Sequence, residues 1–174
     1  MVYGPQKGAT GEMCQRLDEA LANYAGVIKR DLSIDVRDIP GAGAAGGLGA
    51  GLIAFLGAKL ISGIEIVSEV VGLTDYLKGA SLVFTGEGSI DAQTLFGKTV
   101  AGVAAKAKAQ GVPVVALGGA VSGDAGEFYR SGIDAVLSIT PGPISLKRSM
   151  ASAEKLIADA AERALRLILI KLEK

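Results

Sequence analysis

The segment SLVFTGEGSIDAQTLFGKT, residues 81–99, joins a strand pattern to a helix pattern through a polar connection. Its opening residues, SLVF (81–84), form a short apolar run typical of a buried strand. Alanine-rich sequence with lysines on one face follows from Thr99 to Gln110, and Gly111 supplies a helix stop. We therefore predict a strand, a loop from Thr85 to Lys98, and a helix.

The same rhythm repeats downstream of this segment. PVVALGG (113–119) predicts a second strand, buried on both faces because its apolar run is unbroken. DAVLSIT (134–140) predicts a third strand after a short helix at 127–131, and Ser145 is placed to cap a long C-terminal helix. This alternation predicts an α/β fold in which helices flank a parallel sheet, as in a Rossmann or flavodoxin-like half-domain. Because three strands make a thin sheet, we expect the domain to be incomplete.

Residues 1–78 carry helical rather than strand patterns. Thr10 is a predicted N-cap, and Ser62 is placed to cap a short helix that ends at Gly72. The first helix has an apolar stripe at helical spacing: Met13, Leu17, Leu21, Tyr24 and Ile28. A glycine-rich run, PGAGAAGGLGAG (40–51), has no preceding strand and no acidic residue at the ribose distance, so close helix packing is favoured over dinucleotide binding. We predict two parts, a mainly helical 1–78 and an α/β part at 79–174.

Composition excludes several classes of function. The chain has 174 residues, with 18 basic and 18 acidic side chains, so its balance argues against nucleic-acid or membrane partners. The chain lacks histidine, which excludes Ser-His-Asp and Cys-His catalysis and imidazole-bound zinc. The single cysteine, Cys14, cannot form an internal disulfide and favours a cytoplasmic location. The uncharged run at 39–58 is mostly glycine and alanine and predicts a buried soluble segment.

The loop from Thr85 to Lys98 ends in Gly-Lys-Thr, as a P-loop does. Ala92 occupies the position where that motif requires its first glycine, and a polar stretch intervenes, so a true P-loop is disfavoured. Two carboxylates, Glu87 and Asp91, could hold Mg²⁺ or accept a proton from an attacking hydroxyl. The candidate phosphate-handling groups of the loop are Gly86, Gly88, Thr94 and Lys98. The alternative is that the two carboxylates only cap a turn and that Lys98 is solvated.

Several blocks of the sequence resemble the bacterial glycerate kinases that lack a P-loop. The blocks are YGPQKGAT (3–10), PGAGAAGGLGAGLIAFLGAKL (40–60), SGIEIV (62–67), LVFTGEGSIDAQTLFGK (82–98), GVPVVALGGAV (111–121) and GIDAVLSITPGP (132–143). Two positions depart from the family pattern. Phe96 stands where relatives commonly carry histidine, and Gly119 stands where they usually carry serine, which puts a ligand role for the loop at 118–126 in doubt.

The resemblance implies ATP-dependent phosphorylation of D-glycerate by a parent enzyme, of which this chain resembles only the C-terminal half. It implies ATP and Mg²⁺ as cofactors, 2-phosphoglycerate as the expected product, and the N-terminal half of the enzyme as a missing partner. The chain alone is expected to be poorly active, because half of the cleft would be absent. Its open sheet edge predicts self-association, with a homo-oligomer as one outcome.

Combined with the chemistry of the residues, the resemblance suggests roles for named side chains. Glu87, Asp91 and Lys98 are the expected catalytic groups, with Mg²⁺ near the two carboxylates. Lys7 and Gln6 of the GPQKGA block are further candidates for binding an anion and a glycerate hydroxyl, with a plain surface lysine as the alternative for Lys7. A non-catalytic α/β module that binds an anion or a partner chain remains the competing interpretation of the whole chain.

Overall fold

The computed structural model describes residues 3–95 and 99–170, which divide into two compact units, Met1–Ile61 and Ser62–Lys174. The first unit contains helices α1 Tyr3–Gln6, α2 Gly11–Leu32 and α3 Ala44–Leu56. The second contains, in order, α4 Gly63–Val70, α5 Leu73–Leu77, β1 Val83–Ile90, α6 Thr99–Ala109, β2 Val114–Val121, α7 Ala125–Arg130, β3 Ala135–Ser138, α8 Leu146–Ala151 and α9 Ala153–Ile168. A 3₁₀ turn, Ala92–Leu95, follows β1.

In the first unit, α2 begins where its capping residue predicts. The hydroxyl of Thr10 accepts a hydrogen bond from the backbone N–H of Met13 at 3.2 Å, which satisfies one of the free amides of the first turn. The predicted apolar stripe of α2 is buried only toward its C-terminal end. Ile28 is 3% exposed, whereas Met13 and Leu17 are about half exposed. The start of the stripe therefore has no covering partner within the described residues.

The glycine-rich run of the first unit allows close packing. A Cβ added to Gly49 would lie 2.6 Å from the carbonyl oxygen of Gly41, and one added to Gly47 would lie 3.1 Å from Leu21 and Tyr24 on α2. The backbone of residues 45–47 is left-handed, which interrupts the first turn of α3. The packing that we predict for this run is thus present, together with a backbone turn that the sequence pattern did not indicate.

The second unit is built on a parallel sheet in the order β1-β2-β3, which confirms the predicted α/β class. Alternate residues of β2 face two cores. Val114 and Ala116 pack with α6, and Val115 and Leu117 pack on the side of α9. Residues 114–118 are all buried, as the unbroken apolar run predicts. In the described part of the chain β1 is paired on one side only, so it is an edge strand.

The structure corrects two predicted boundaries in this unit. β1 continues to Ile90, six residues beyond the predicted strand end, so the first part of the predicted loop is strand. The predicted single C-terminal helix is divided at Ser152 into α8 and α9, although Ser145 caps α8 as expected. Helices α4 and α5 belong to this unit, where Leu77 joins the sheet core. The predicted division at 78/79 concerns the complete two-domain scaffold and stays a prediction.

Candidate active site

The carboxyl end of β1 brings three of the candidate residues together. Glu87 is half-buried on the strand, and the 3₁₀ turn after the strand carries Thr94. The Thr94 hydroxyl donates a hydrogen bond to Glu87 Oε1 at 2.5 Å and accepts one from the Asp91 backbone N–H at 3.1 Å. The Thr94 N–H also donates to the Asp91 carbonyl oxygen at 2.9 Å. The 3₁₀ turn is therefore linked to the Glu87 carboxylate through the Thr94 hydroxyl.

The surroundings of Thr94 differ from those expected of a side chain that binds phosphate. Its side chain is 0% exposed, and both the donor and an acceptor position of its hydroxyl are used inside the protein. A buried hydroxyl with these partners satisfies polar groups that would otherwise be costly to bury. Thr94 thus stabilises the turn beside Glu87, and its contact with phosphate stays a prediction.

The two predicted glycines beside Glu87 are required for different reasons. A Cβ on Gly86 would lie 2.4 Å from the carbonyl oxygen of Leu117 on β2, so the sheet itself demands glycine there. A Cβ on Gly88 would meet no atom within 4 Å, and the residue does not have a left-handed backbone. Gly88 is therefore dispensable for the packing of the described residues and leaves bare backbone at the site.

The donor atoms at this corner fit a hard divalent cation. Glu87 and Asp91 both carry carboxylates, the ligand type that Mg²⁺ prefers, and the hydrogen bonds of Thr94 bring the Asp91 backbone close to the Glu87 carboxylate. A typical Mg²⁺ site adds water and substrate phosphate oxygens to one or two carboxylates. No cluster of three or more Asp, Glu, Cys or His side chains occurs among the residues that the structure describes, so phosphate and water would have to complete the coordination. Lys98, the third predicted catalytic residue, lies outside the described residues.

An open apolar cavity of about 940 Å³ lies between the end of the sheet and helices α8 and α9. Residues 84–88 of β1 line its floor, and most of its apolar wall comes from elements that the predicted site did not include. The wall is formed chiefly by Phe84, Leu117, Ile139, Ile144, Leu146, Met150 and Ile157. The sequence offered one signal for this cavity: residues 140–145 follow the third strand, and parallel sheets bind ligands at the carboxyl ends of their strands.

Lys7 lies in the first unit, in the wall of a second cavity of about 570 Å³. Asp18 and Tyr24 of α2 line the same cavity, as does the left-handed turn that includes Ala45 and Gly46. The Lys7 side chain is exposed and makes no ion pair within the described ranges. Gln6 is the last residue of α1, and its side chain lies outside what the structure describes.

The geometry after β1 differs from a P-loop. Gly86 and Gly88 lie within the strand, and the next described residues form a 3₁₀ turn without glycine. A P-loop instead wraps glycine-rich backbone around phosphate directly after its strand. No described helix has the length and apolar character needed to cross a membrane.

Comparison with known proteins gives one consistent result. The sequence model of the glycerate kinase family matches residues 1–169. A glycerate kinase of Halalkalibacterium halodurans is 49% identical over 161 residues, which are 92% of this chain and 42% of that protein. A glycerate 2-kinase of Escherichia coli K12 is 51% identical over 138 residues, 79% of this chain and 36% of that protein.

A solved structure agrees with these sequence matches. The crystal structure of "putative glycerate kinase 2" from Salmonella typhimurium LT2 is 44% identical, with a TM-score of 0.61. The match covers 97% of this chain and 44% of that one. The chain thus spans less than half the length of the relatives that it matches.

Proposed function

The chain belongs to the glycerate kinase family, and from this premise we propose that it is part of an enzyme that transfers the γ-phosphoryl group of ATP to D-glycerate. In this proposal the chain supplies the C-terminal half of the enzyme, and the other half completes the cleft and the sheet. The observation that carries the proposal is the Glu87 carboxylate, held by a buried hydroxyl at the end of β1 beside an open cavity.

The proposed reaction forms a bond between a glycerate hydroxyl oxygen and the γ-phosphorus while the bond from that phosphorus to the β,γ-bridging oxygen breaks. ADP leaves with the electron pair of the broken bond. Glu87 is suited to accept the hydroxyl proton because its carboxylate is oriented before substrate arrives. The matched relative in E. coli is named a glycerate 2-kinase, which supports phosphorylation at the 2-hydroxyl.

Mg²⁺ would be held by Glu87 and Asp91 together with phosphate oxygens, and it would neutralise charge on the phosphoryl groups. We propose that Lys98, which lies outside the described residues, supplies positive charge to the phosphates, since the described residues that line the cavity beside Glu87 include no lysine or arginine. Phosphoryl transfer depends chiefly on positioning and charge neutralisation, so this set of groups suffices without histidine.

Exposed apolar surface supports a role for the rest of the enzyme. Val70 and Tyr76 in the second unit are about 80% exposed, and Phe55 and Leu56 in the first are about two-thirds or more exposed. Apolar groups of this size are usually covered in a complete protein. The same surface and the unpaired edge of β1 predict self-association of the chain by itself. A cytoplasmic location, favoured by the single cysteine, stays a prediction.

A chimera tests the function. This chain replaces the matched 161 residues of the H. halodurans enzyme, and ADP release is measured with ATP, Mg²⁺ and D-glycerate. We expect release that depends on glycerate, with 2-phosphoglycerate as the product. Circular dichroism and thermal melting establish that the chimera is folded. A folded chimera that releases no ADP with glycerate would contradict the proposal and favour a module that binds an anion or a partner chain.

A further inference from the structure

We propose that the apolar cavity beside β1 binds the base and ribose of the adenine nucleotide, with Gly88 as the point of closest approach. This inference rests on the proposed function, which requires a nucleotide but does not say where it lies. It divides the site into a nucleoside cavity on the α8 and α9 side and a phosphate corner at Glu87.

The chemistry of the cavity wall favours a nucleoside over a sugar acid. Apolar side chains from β2, α8 and α9 dominate it, among them Leu117, Met150 and Ile157. Glu87 is its one charged residue among those described. A small anion such as glycerate would lose its hydration in such surroundings without gaining a cationic partner. A planar base instead presents apolar faces that suit aliphatic and methionine side chains.

The size of the cavity fits the same ligand. Its volume of about 940 Å³ lies at the upper end of the usual range for small-molecule sites, roughly 300–1,000 Å³. Such sites combine an apolar lining with a few polar groups that fix orientation. Ser149 is one such group, because it lines the cavity and its hydroxyl makes no hydrogen bond within residues 3–95 and 99–170.

Gly88 is the feature that packing does not explain. The neighbouring glycines Gly86 and Gly119 are required by the sheet, since added Cβ atoms would lie 2.4 Å and 2.7 Å from carbonyl oxygens. Gly88 also lines the cavity, and an added Cβ there would meet no atom within 4 Å. A bare backbone at that point lets a ligand lie directly on the strand. Because Glu87 lines the same cavity, we place the phosphates of a nucleotide seated here toward the carboxylate corner.

Titration of the 174-residue chain with adenosine tests the inference, observed through NMR of its methyl groups. We expect shifts at the cavity methyls of Ile139, Ile144, Met150 and Ile157, and no shift of these with D-glycerate. A nucleoside without its phosphates binds weakly, so adenosine is raised to about 10 mM, above a Kd of order 1 mM.

Two variants and a matched control locate the binding. Gly88→Ala puts a methyl on the floor, and Ala153→Leu fills the cavity from the first turn of α9. Each should weaken adenosine binding roughly tenfold or more, the effect of misfitting a ligand by one or two carbons. Ala158→Leu makes a similar change at an exposed position of α9 outside the cavity, and should leave binding unchanged. All three should melt near the wild-type temperature.

The outcomes separate this inference from the proposed function. If adenosine leaves the cavity methyls unshifted at the highest concentration, the inference is wrong. It is also wrong if the chimera phosphorylates glycerate while Gly88→Ala and Ala153→Leu both leave its KM for ATP unchanged, and the function then stands. If adenosine shifts the cavity methyls and the variants weaken it, but the chimera is inactive, the cavity assignment stands without the proposed function.

Discussion

Replacing Thr94 by valine removes the hydroxyl that joins the 3₁₀ turn to Glu87 while keeping the side chain's size. The substitution leaves two groups without this partner, the Glu87 carboxylate and the Asp91 N–H. A hydrogen bond to a charged group contributes about 1.5–3 kcal/mol and a neutral one about 0.5–1.5 kcal/mol. Because Glu87 is only half-buried, water can replace part of the lost hydrogen bonding, and we expect a destabilisation of about 2 kcal/mol.

Urea unfolding of the chain measures this change. With a slope of about 2 kcal/mol per M, the midpoint should fall by about 1 M. Thr94→Ser is the matched control, since it keeps the hydroxyl and removes one buried methyl, at a cost of about 1 kcal/mol. Hydrogen exchange gives a local readout: the Asp91 amide should exchange faster in Thr94→Val and near the wild-type rate in Thr94→Ser. The reasoning is refuted if valine is tolerated as well as serine and the Asp91 amide keeps its protection.

The remaining predictions concern glycines that differ in what surrounds them. Gly86→Ala should destabilise the chain by about 3 kcal/mol or slightly less, because the added methyl would overlap the Leu117 carbonyl oxygen. Gly88→Ala should change stability by under about 0.5 kcal/mol, because its methyl meets no atom. Equal shifts of the melting temperature in the two variants would contradict this. Gly102→Ala should be destabilising by about 1–2 kcal/mol despite alanine's higher helix propensity, because the Cβ would lie 2.4 Å from Ile64 on α4. If Gly102→Ala unfolds at a higher urea concentration than wild type, this prediction is wrong, and α4 can shift away from the added methyl without loss of stability.

The sequence predicts the sheet well because each strand is marked by a local apolar run. The length of β1 was predicted wrongly, because glycines such as Gly86 and Gly88 are uncommon in strands and favour a loop. They lie in a strand because β1 pairs with β2, where Gly86 and Gly119 allow carbonyl oxygens of the opposite strand to approach closely. This is a tertiary effect that local sequence does not carry. The break at Ser152 was likewise hidden, because the apolar periodicity continues on both sides of it.

Some features of the candidate site were likewise visible in the sequence, and others were not. Glu87 and Asp91 could be proposed as candidates because their residue type is visible in the sequence, and their roles stay predictions. The role of Thr94 could not be predicted, since a hydroxyl in a polar stretch looks available to a ligand until its burial is known. The cavity wall on α8 was missed for another reason. Leu146 and Met150 appear as ordinary helix residues, and only the fold places them opposite the glycines of β1.

The most direct test of the central claim is the turnover of the chimera carrying Glu87→Gln. We expect the rate of glycerate-dependent ADP release to fall by a factor of about 100 or more, because the Glu87 carboxylate is lost as a proton acceptor or cation ligand. Glu162→Gln is the control, since Glu162 forms only an exposed ion pair with Arg166 at 2.8 Å, and its rate should match the parent chimera. Equal turnover in the two variants would contradict the claim that phosphoryl transfer occurs at this corner of β1.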